Sequence, residues 1–267
     1  MGSIDYHSLI KGLNARKSLG QNFLLNKGMA ELEANYGKGM DVIELGPGIG
    51  ILTEALCRKA RRVTAVEKDG RLYDIVRENI KSNRLNLINA DFFSVDFHSL
   101  GKIDIMISNI PYNLSSKVIY WLSQKGIPAL LCVQKEFAEH MMAGPGTRDY
   151  SKLSVISSLM FNLHFIREVP AGNFFPRPRV DSAIIYLAPR SNSLDDYDVK
   201  IISLLMNHKK KRLRNAIIDS SKGLGLKKDA ARELAGQIGN SEERPFKILP
   251  EDILAIARTI RSKIQKE

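Results

Sequence analysis

The sequence predicts an α/β protein with a parallel β-sheet, followed by a smaller helical part at the C-terminal end. Apolar runs rich in β-branched residues alternate with helical patterns between residues 41 and 134. Strands buried on both faces of a parallel sheet have this appearance, and helices form the crossovers between them. Beyond residue 198 the apolar residues recur at the helical period. The 267 residues, 44% of them hydrophobic, suffice for one large domain and one small one.

The first part of the chain divides into alternating strands and helices. Strands are predicted at 41–44, 62–66, 85–88, 103–108 and 129–133, and helices at 51–59, 71–83, 116–125 and 135–143. Another helix begins near Ser151, and two β-like runs at 163–169 and 182–187 can form a terminal hairpin. The polar segment 188–198 predicts a linker, so we expect domains at 1–188 and 189–267.

The second part is predicted to be helical. One helix carries Ile201, Leu204, Leu205 and His208 on a single face, and others are expected at 213–221, 228–238 and 250–264. Pro250 suits the first turn of the last helix, and the two acidic residues that follow it suit the positive end of the helix dipole.

The chain is strongly basic. Its formal net charge is +11 and its pI is about 9.6, a balance that favours a polyanionic partner. Solubility alone is the simpler explanation, and the clustering of charge has to separate the two. Residues 189–267 contain 17 Lys and Arg against 11 Asp and Glu, and residues 1–28 contain four against one. We therefore expect both ends of the chain to contact nucleic acid.

Composition disfavours several classes of protein. No apolar stretch approaches the ~18 residues of a membrane helix, and the N-terminus carries Asp5, His7 and Lys11 in place of an apolar signal core. Cys57 and Cys132 provide neither a disulfide framework nor a zinc site, and the five histidines show no ligand spacing. The sequence predicts a monomeric protein that is cytoplasmic or, in a eukaryote, alternatively nuclear, with no membrane partner and no metal.

A glycine-rich turn follows the first predicted strand, in the segment Glu-Leu-Gly-Pro-Gly-Ile-Gly at 44–50. Glycines there let the backbone turn tightly and approach a ligand. The spacing differs from the G-x-G-x-x-G of dinucleotide sites, and no Gly-Lys-Ser/Thr follows, so a P-loop is excluded. Glu67 comes ~20 residues after Gly46, the offset at which a carboxylate binds ribose hydroxyls. Asp91, after the third strand, can accept from an adenine amino group.

These groups match a ligand that has an adenosine and no phosphate. S-adenosylmethionine is such a ligand, and its sulfonium suits a pocket that carries Glu44. Each feature alone is as well explained by an ordinary tight turn or a surface cap. Their joint placement at successive strand ends favours a site, because ligands bind at the carboxyl ends of parallel strands.

The segment Asn-Ile-Pro-Tyr at 109–112 follows the fourth strand. An adenine amine is a poor nucleophile, and accepting both of its hydrogens localises the nitrogen lone pair. The side-chain oxygen of Asn109 and the backbone oxygen of Ile110 can do this, with Pro111 holding the turn and Tyr112 stacking on the base. On its own, such a tetrapeptide is more often a plain turn.

A proline-rich loop at 174–180, Phe-Phe-Pro-Arg-Pro-Arg-Val, is a candidate for a second wall of the site. Its two prolines would hold the loop extended and present Phe174 to the other face of a bound base. A polyproline-type connector with core phenylalanines is the alternative.

Together these segments resemble the KsgA family of small-subunit ribosomal RNA adenine dimethyltransferases. The resemblance runs almost from end to end. It is most specific in the Gln-Asn-Phe-Leu segment at 21–24 and in the Phe-x-Pro-x-Pro-x-Val loop. The matching segments are 17–24, 44–53, 109–113, 134–136, 150–154, 174–182 and 209–215, the last being similar to the family's basic helix.

The resemblance implies a Rossmann-like class I methyltransferase fold with a seven-stranded sheet and a small C-terminal α-helical domain. It implies that Asn22 and Leu24 close over the methyl donor. The other implied donor contacts are Gly46, Glu67, Asp91 and Asn109, and the implied target-base residues are Asn109, Pro111, Tyr112 and Phe174. The implied substrate is a pair of adjacent adenosines near the 3′ end of small-subunit rRNA, each methylated twice while the ribosome is assembled.

A run of cations in the small domain is the candidate RNA contact. Its members are Lys209, Lys210, Lys211, Arg212 and Arg214. Such a run can follow RNA phosphates, and it can equally be a solvated helix face or a nuclear localisation signal. We favour RNA, because the chemistry expected of the site requires an RNA base.

Other functions compete with this interpretation. An Erm-type enzyme that methylates large-subunit rRNA shares the catalytic segments. We rank this alternative second, mainly because of the basic small domain. A non-catalytic ribosome-assembly factor on the same fold is disfavoured by the intact segment 109–112. A nicotinamide dehydrogenase is disfavoured by the glycine spacing and by the lack of an evident hydride-transfer partner.

Overall fold

A seven-stranded β-sheet organises the chain in the computed structural model, which describes residues 4–13, 15–16, 19–192 and 194–265. Its strands are β2 (Asp41–Leu45), β3 (Arg62–Glu67), β4 (Leu85–Asn89), β5 (Ile105–Asn109), β6 (Ala129–Gln134), β7 (Phe161–Val169) and β9 (Ser182–Pro189). They lie in the order β4-β3-β2-β5-β6-β9-β7. Two short strands, β1 (Phe23–Leu24) and β8 (Phe174–Phe175), form a separate antiparallel pair.

Helices connect these strands and make up the C-terminal part of the chain. They are α1 (Tyr6–Lys11), α2 (Lys27–Asn35), α3 (Ile51–Lys59), α4 (Gly70–Asn79), α5 (Ser115–Lys125), α6 (Lys135–Met142), α7 (Lys152–Met160), α8 (Asp196–Asn207), α9 (Leu213–Asp219), α10 (Ser221–Leu224), α11 (Lys228–Gly236) and α12 (Pro250–Ile264). The predicted strands and helices of the sheet region are confirmed, with ends that differ by up to four residues. No helix of the described residues is both long and apolar enough to span a bilayer.

Parallel pairing brings the ends of successive strands to one edge of the sheet. β2 pairs with β3 and with β5 in parallel, and β5 pairs with β6 in the same way. These strands are buried on both faces of the sheet: β2 is buried along its whole length, and β6 has five consecutive buried apolar residues. Residues that follow β2, β3 and β5 therefore meet, as the sequence predicted. β9 is antiparallel to β6 and lies beside β7.

Two compact units divide the chain. One comprises residues 1–138 and 164–189, and the other comprises 139–163 and 190–267. Tyr150 explains why 139–163 joins the C-terminal helices: it is fully buried among them, and its hydroxyl donates to the backbone oxygen of Ile248 at 2.9 Å. The structure differs here from the domain boundary expected at residue 188. The polar linker in the sequence marks where the chain enters the C-terminal helices, but it does not reveal that residues 139–163 already belong to the same unit.

Candidate active site

A cleft of about 280 Å³ opens where strands β2, β3 and β5 end. Small-molecule sites usually have volumes of about 300–1,000 Å³, so the cleft is close to the lower end of that range. Among the residues that line it are Asn22, Gly46, Glu67, Asp91, Asn109, Pro111, Tyr112 and Phe174, all predicted from the sequence. Leu24 lies at a smaller neighbouring pocket, which Asn22, Gly46 and Asn109 also line.

The glycine turn after β2 contributes to the wall of the cleft. Gly46 and Gly48 have φ angles of +68° and +60°, in the left-handed region that residues with a side chain rarely adopt. A Cβ on Gly48 would also lie 3.0 Å from Cδ1 of Phe23. Because both positions lack a side chain, a ligand can approach the backbone here.

Glu67 provides a fixed carboxyl group at the end of β3. It is buried, and its two oxygens accept hydrogen bonds from the backbone N–H groups of Gly48 at 3.2 Å and of Asp69 at 2.8 Å. Burial raises the pKa of Glu67, and the backbone hydrogen bonds oppose this rise. Each carboxyl oxygen can accept a second hydrogen bond, so Glu67 can still receive a pair of ligand hydroxyls.

Asp91 is held by neighbours on both oxygens. Oδ1 accepts from the backbone N–H of Phe93 at 3.0 Å and caps the short helix 92–94, and Oδ2 lies 2.9 Å from Nζ of Lys68. The Lys68 ammonium is the main reason why the pKa of Asp91 is lowered. A ligand amino group at Asp91 would share the carboxylate with Lys68.

Asn109 ends β5, and its amide is held from one side only. Nδ2 donates to Oε2 of Glu33 at 3.1 Å, whereas Oδ1 is buried and has no hydrogen-bond partner within the part of the chain that the structure describes. A buried acceptor without a partner is unfavourable by about 1–3 kcal/mol. A ligand that donates to Oδ1 would remove this cost.

Glu33 is a candidate functional residue that the sequence analysis did not identify. It lies in α2 and is only 2% exposed. Ala30 and Ala34 are buried on the same helix, and spacings of three and four residues place all three on one face. In the sequence, Glu33 could therefore have been identified as a carboxyl residue on the apolar face of a helix.

Tyr112 and Phe174 are the two aromatic residues of the lining that the sequence analysis singled out. Oη of Tyr112 lies 2.7 Å from Oγ of Ser182, which anchors the phenol to the start of β9. Phe174 is buried and pairs with Leu24 in the β1–β8 ladder. This ladder joins the two segments, 21–24 and 174–180, in which the family resemblance is most specific, and the sequence analysis did not predict their contact.

Glu44 is a third buried carboxyl group near the cleft, in addition to Glu67 and Glu33. It is 1% exposed and accepts a hydrogen bond from Oγ1 of Thr53 at 2.7 Å. Burial raises the pKa of both Glu33 and Glu44 to about 8, and at Glu44 the charges of Glu33 and Glu67 add to the rise. Carboxylates that repel one another in this way favour a cationic ligand, and a sulfonium is one.

Glu44→Gln is expected to stabilise the ligand-free protein increasingly as the pH rises from 5 to 8. The pKa of Glu44 is raised on folding, so its contribution to stability is complete below the unfolded pKa of about 4.5 and is lost as the pH rises to about 8. Glutamine keeps an acceptor for Thr53 and carries no charge. Melting temperatures at pH 5 and pH 8 check this, with Glu78→Gln at an exposed position of α4 as the control. A difference in melting temperature that does not change with pH would contradict it.

The predicted RNA-binding run does not form the helix face that the sequence suggested. α8 ends at Asn207 and α9 begins at Leu213, so all of its cations except Arg214 lie in the turn between the two helices. Residues 208–212 contain no apolar side chain that a helix could bury. The helical pattern therefore stops there, and the charges lie in a turn.

Most members of the run have partners within their own unit. Lys209 donates to the backbone oxygens of Arg148 and Tyr150. The ion pairs are Lys211 with Asp219, Arg212 with Glu242 and Arg214 with Glu242. Lys210 is exposed, and the described residues give it no partner. Lys210 is thus the member of the run that makes the fewest hydrogen bonds and ion pairs among the described residues.

Alanine at Lys209 and at Lys210 is expected to have different effects. Lys209→Ala removes the donor of two backbone oxygens, one exposed and one partly buried, so it should lower the free energy of unfolding by about 0.5–1.5 kcal/mol. Lys210→Ala should leave the melting temperature unchanged and reduce the salt dependence of RNA binding by about one phosphate contact. Thermal unfolding and binding of an rRNA fragment at several salt concentrations measure both. An unchanged salt slope in Lys210→Ala would exclude this residue as a phosphate contact.

The architecture and the cleft define a class I methyltransferase: a seven-stranded sheet whose strands β2 to β6 are parallel and whose strand β9 is antiparallel to β6, with a glycine turn after β2 and a carboxylate at the end of β3. The chain belongs to the ribosomal RNA adenine dimethylase family, whose model matches residues 12–238. The fold, the family and the enzyme class predicted from the sequence are thereby confirmed.

Individual relatives agree with this assignment. The chain is 35% identical to the probable ribosomal RNA small subunit methyltransferase A of Thermococcus kodakarensis, over 94% of this chain and 92% of the relative. The crystal structure of a dimethyladenosine transferase from Plasmodium falciparum is similar with a TM-score of 0.75 at 25% identity, covering 91% and 98% of the two chains. The 23S rRNA methyltransferase ErmE is similar with a TM-score of 0.62, also at 25% identity, covering 90% and 99%.

Proposed function

We propose that this protein transfers methyl groups from S-adenosylmethionine to the exocyclic amines of two adjacent adenosines near the 3′ end of small-subunit rRNA, during ribosome biogenesis. The observation that carries the proposal is the amide of Asn109, whose Oδ1 lacks a partner among the described residues in a cleft that Gly46 and Glu67 also line. Family membership supports adenine as the target. The relative from Thermococcus kodakarensis supports the small subunit.

The residues of the cleft fit S-adenosylmethionine. Glu67 has acceptor sites left for ribose hydroxyls, and Gly46 presents backbone without a side chain. The proposed donor contacts are Asn22, Leu24, Gly46, Glu67, Asp91 and Asn109. When bound, this cofactor supplies an electrophilic methyl group on a positively charged sulfur.

Asn109 and its neighbours prepare the target amine. Oδ1 of Asn109 and the backbone oxygen of Ile110 accept its two hydrogens, so the lone pair is localised on the nitrogen. The rings of Tyr112 and Phe174 stack on the base, and such stacking contributes about 1–3 kcal/mol per base. Pro111 restricts the backbone that carries these groups. The catalytic effect is orientation and electrostatics, since an alkylated amine loses its proton without a strong base.

The RNA reaches the site as an unstacked base, because a base inside a duplex cannot enter a cleft. In the proposal, catalysis belongs to the unit of residues 1–138 and 164–189, and the basic residues of 189–267 contact rRNA phosphates. The partner is the rRNA of an assembling small subunit, and the protein acts as a cytoplasmic monomer without a metal. Among the described residues no cluster of three His, Cys, Asp or Glu could hold a metal ion.

Transfer of a radiolabelled methyl group tests the proposal. Purified small and large ribosomal subunits, each as an assembly intermediate and as the mature particle, are incubated separately with the protein and labelled S-adenosylmethionine. We expect label in the small subunit, on dimethylated adenosine, and more of it in the intermediate than in the mature particle. Label in neither subunit would refute the activity.

The large subunit is the second candidate substrate. The likeness to ErmE, a 23S rRNA methyltransferase, favours it, although its TM-score of 0.62 is below the 0.75 found for the dimethyladenosine transferase. Label in the large subunit alone would establish this alternative and overturn the small-subunit assignment.

A further inference from the structure

Glu33 is a buried carboxyl group that none of the proposed ligand contacts uses. It comes from α2, which lies outside the segments that carry the family resemblance. Its carboxyl group accepts a hydrogen bond from Nδ2 of Asn109 at 3.1 Å. Asn109 is the residue whose free oxygen carries the proposed function, so the orientation of its amide matters.

An asparagine amide can be turned by half a rotation, which exchanges its oxygen and its nitrogen. An ionised carboxylate only accepts hydrogen bonds. With Glu33 ionised, the amide must therefore present its nitrogen to Glu33, because the reverse orientation would place two acceptors against each other. The observed arrangement, with Nδ2 on Glu33 and Oδ1 without a partner among the described residues, is the one that this rule predicts.

We propose that Glu33 is a positioning residue, which holds the Asn109 amide so that Oδ1 is available to the amine of the target adenine. This inference rests on the proposed function. Glu33 itself touches neither the methyl donor nor the base in this scheme. Its effect is to select one of two amide orientations of nearly equal shape.

The protonation of Glu33 then controls the amide. Burial raises the pKa of Glu33 to about 8, and the titratable groups that interact with it are Glu44 of β2 and Cys132 of β6. A protonated Glu33 has an O–H that can donate to Oδ1 of Asn109, which favours the opposite orientation and occupies the catalytic oxygen. Transfer should therefore slow as the pH falls and Glu33 becomes protonated.

Two substitutions separate positioning from a merely structural role. Glu33→Leu removes every polar contact with the amide, and we expect kcat to fall about 10- to 100-fold with less than about a threefold change in donor affinity. Glu33→Gln keeps an acceptor but adds a donor, so it should retain part of the activity and lose the acidic limb of the pH profile. Glu31→Gln, on the same helix but paired with Arg58 and Lys59, is the matched control.

The side-chain amide of Asn109 gives a signal that does not depend on activity. In protein labelled with ¹⁵N-asparagine, its NH₂ resonance is identified by its loss in Asn109→Ala. We expect this resonance to shift as the pH is raised through the titration of Glu33 in the wild type, and to stay constant in Glu33→Gln. Melting temperatures show whether each variant is folded.

The outcomes distinguish the inference from the function beneath it. A wild type that labels neither ribosomal subunit overturns the proposed function. An active wild type with unchanged kcat in Glu33→Leu, or an Asn109 resonance that does not respond to pH, overturns the role of Glu33 alone. A parallel loss of donor binding and kcat in a folded Glu33→Leu would assign Glu33 to the donor site and equally overturn the positioning role.

Discussion

Asn109→Ala is expected to lower kcat about 10²- to 10³-fold, the effect that removal of one preorganised polar group has in other enzymes. The substitution deletes the acceptor Oδ1. The lone pair of the target amine then stays delocalised into the adenine ring, and the amine remains a poor nucleophile. Glu33 loses the donor at 3.1 Å, and because burial raises the pKa of Glu33 to about 8, its carboxyl group can take up a proton in the variant instead of remaining an unpaired buried carboxylate. Methyl transfer to small subunits under saturating donor measures the effect.

The control for this variant is Asn86→Ala, an exposed position of β4 outside the cleft, where activity should stay at the wild-type level. Donor affinity should fall far less than kcat in Asn109→Ala, because Gly46 and Glu67 still line the cleft. Undiminished turnover in a folded Asn109→Ala variant would refute the catalytic role of the amide.

Glu67→Ala is expected to weaken S-adenosylmethionine binding about 10- to 100-fold. Hydrogen bonds to a charged group contribute about 1.5–3 kcal/mol, and each 1.4 kcal/mol changes the dissociation constant tenfold. Part of the loss comes from the turn itself, since the N–H groups of Gly48 and Asp69 lose the acceptor that fixes them. Calorimetric titration with the donor gives the dissociation constant.

Glu78→Ala, at an exposed position of α4, is the matched control for this measurement and should bind the donor like the wild type. S-adenosylmethionine that lacks one ribose hydroxyl should lose affinity in the wild type and little more in Glu67→Ala. Wild-type affinity in Glu67→Ala would show that the ribose lies elsewhere.

The sheet could be predicted because its strands obey one simple rule. Strand β6 begins with five consecutive buried apolar residues, a pattern typical of strands covered on both faces of a sheet. The helices α3 and α12 have the predicted bounds because strong signals flank them: glycines precede α3, and Pro250 opens α12. The ladder of β1 with β8 was not predicted, because two residues are too few to show a period.

The site was predictable where its residues follow strands, and less so elsewhere. Gly46, Glu67 and Asn109 line the cleft because the carboxyl ends of parallel strands meet, a consequence of topology alone. Glu33 contacts Asn109 from a helix, and in the sequence it is distinguished only as a carboxyl residue on an otherwise apolar helix face. The partners of Lys209 come from a segment about 60 residues away, which no local pattern indicates.

The β1–β8 ladder has a consequence for the folding of the chain during its synthesis on the ribosome. Phe23 pairs with Phe175, roughly 150 positions later in the chain. At a synthesis rate of about 5–20 residues per second, roughly 8–30 s separate the emergence of the two strands. The sheet from β2 to β6 can assemble during that interval, but the N-terminal strand has no partner until the second one emerges. A nascent chain thus acquires its core before it acquires a complete cleft.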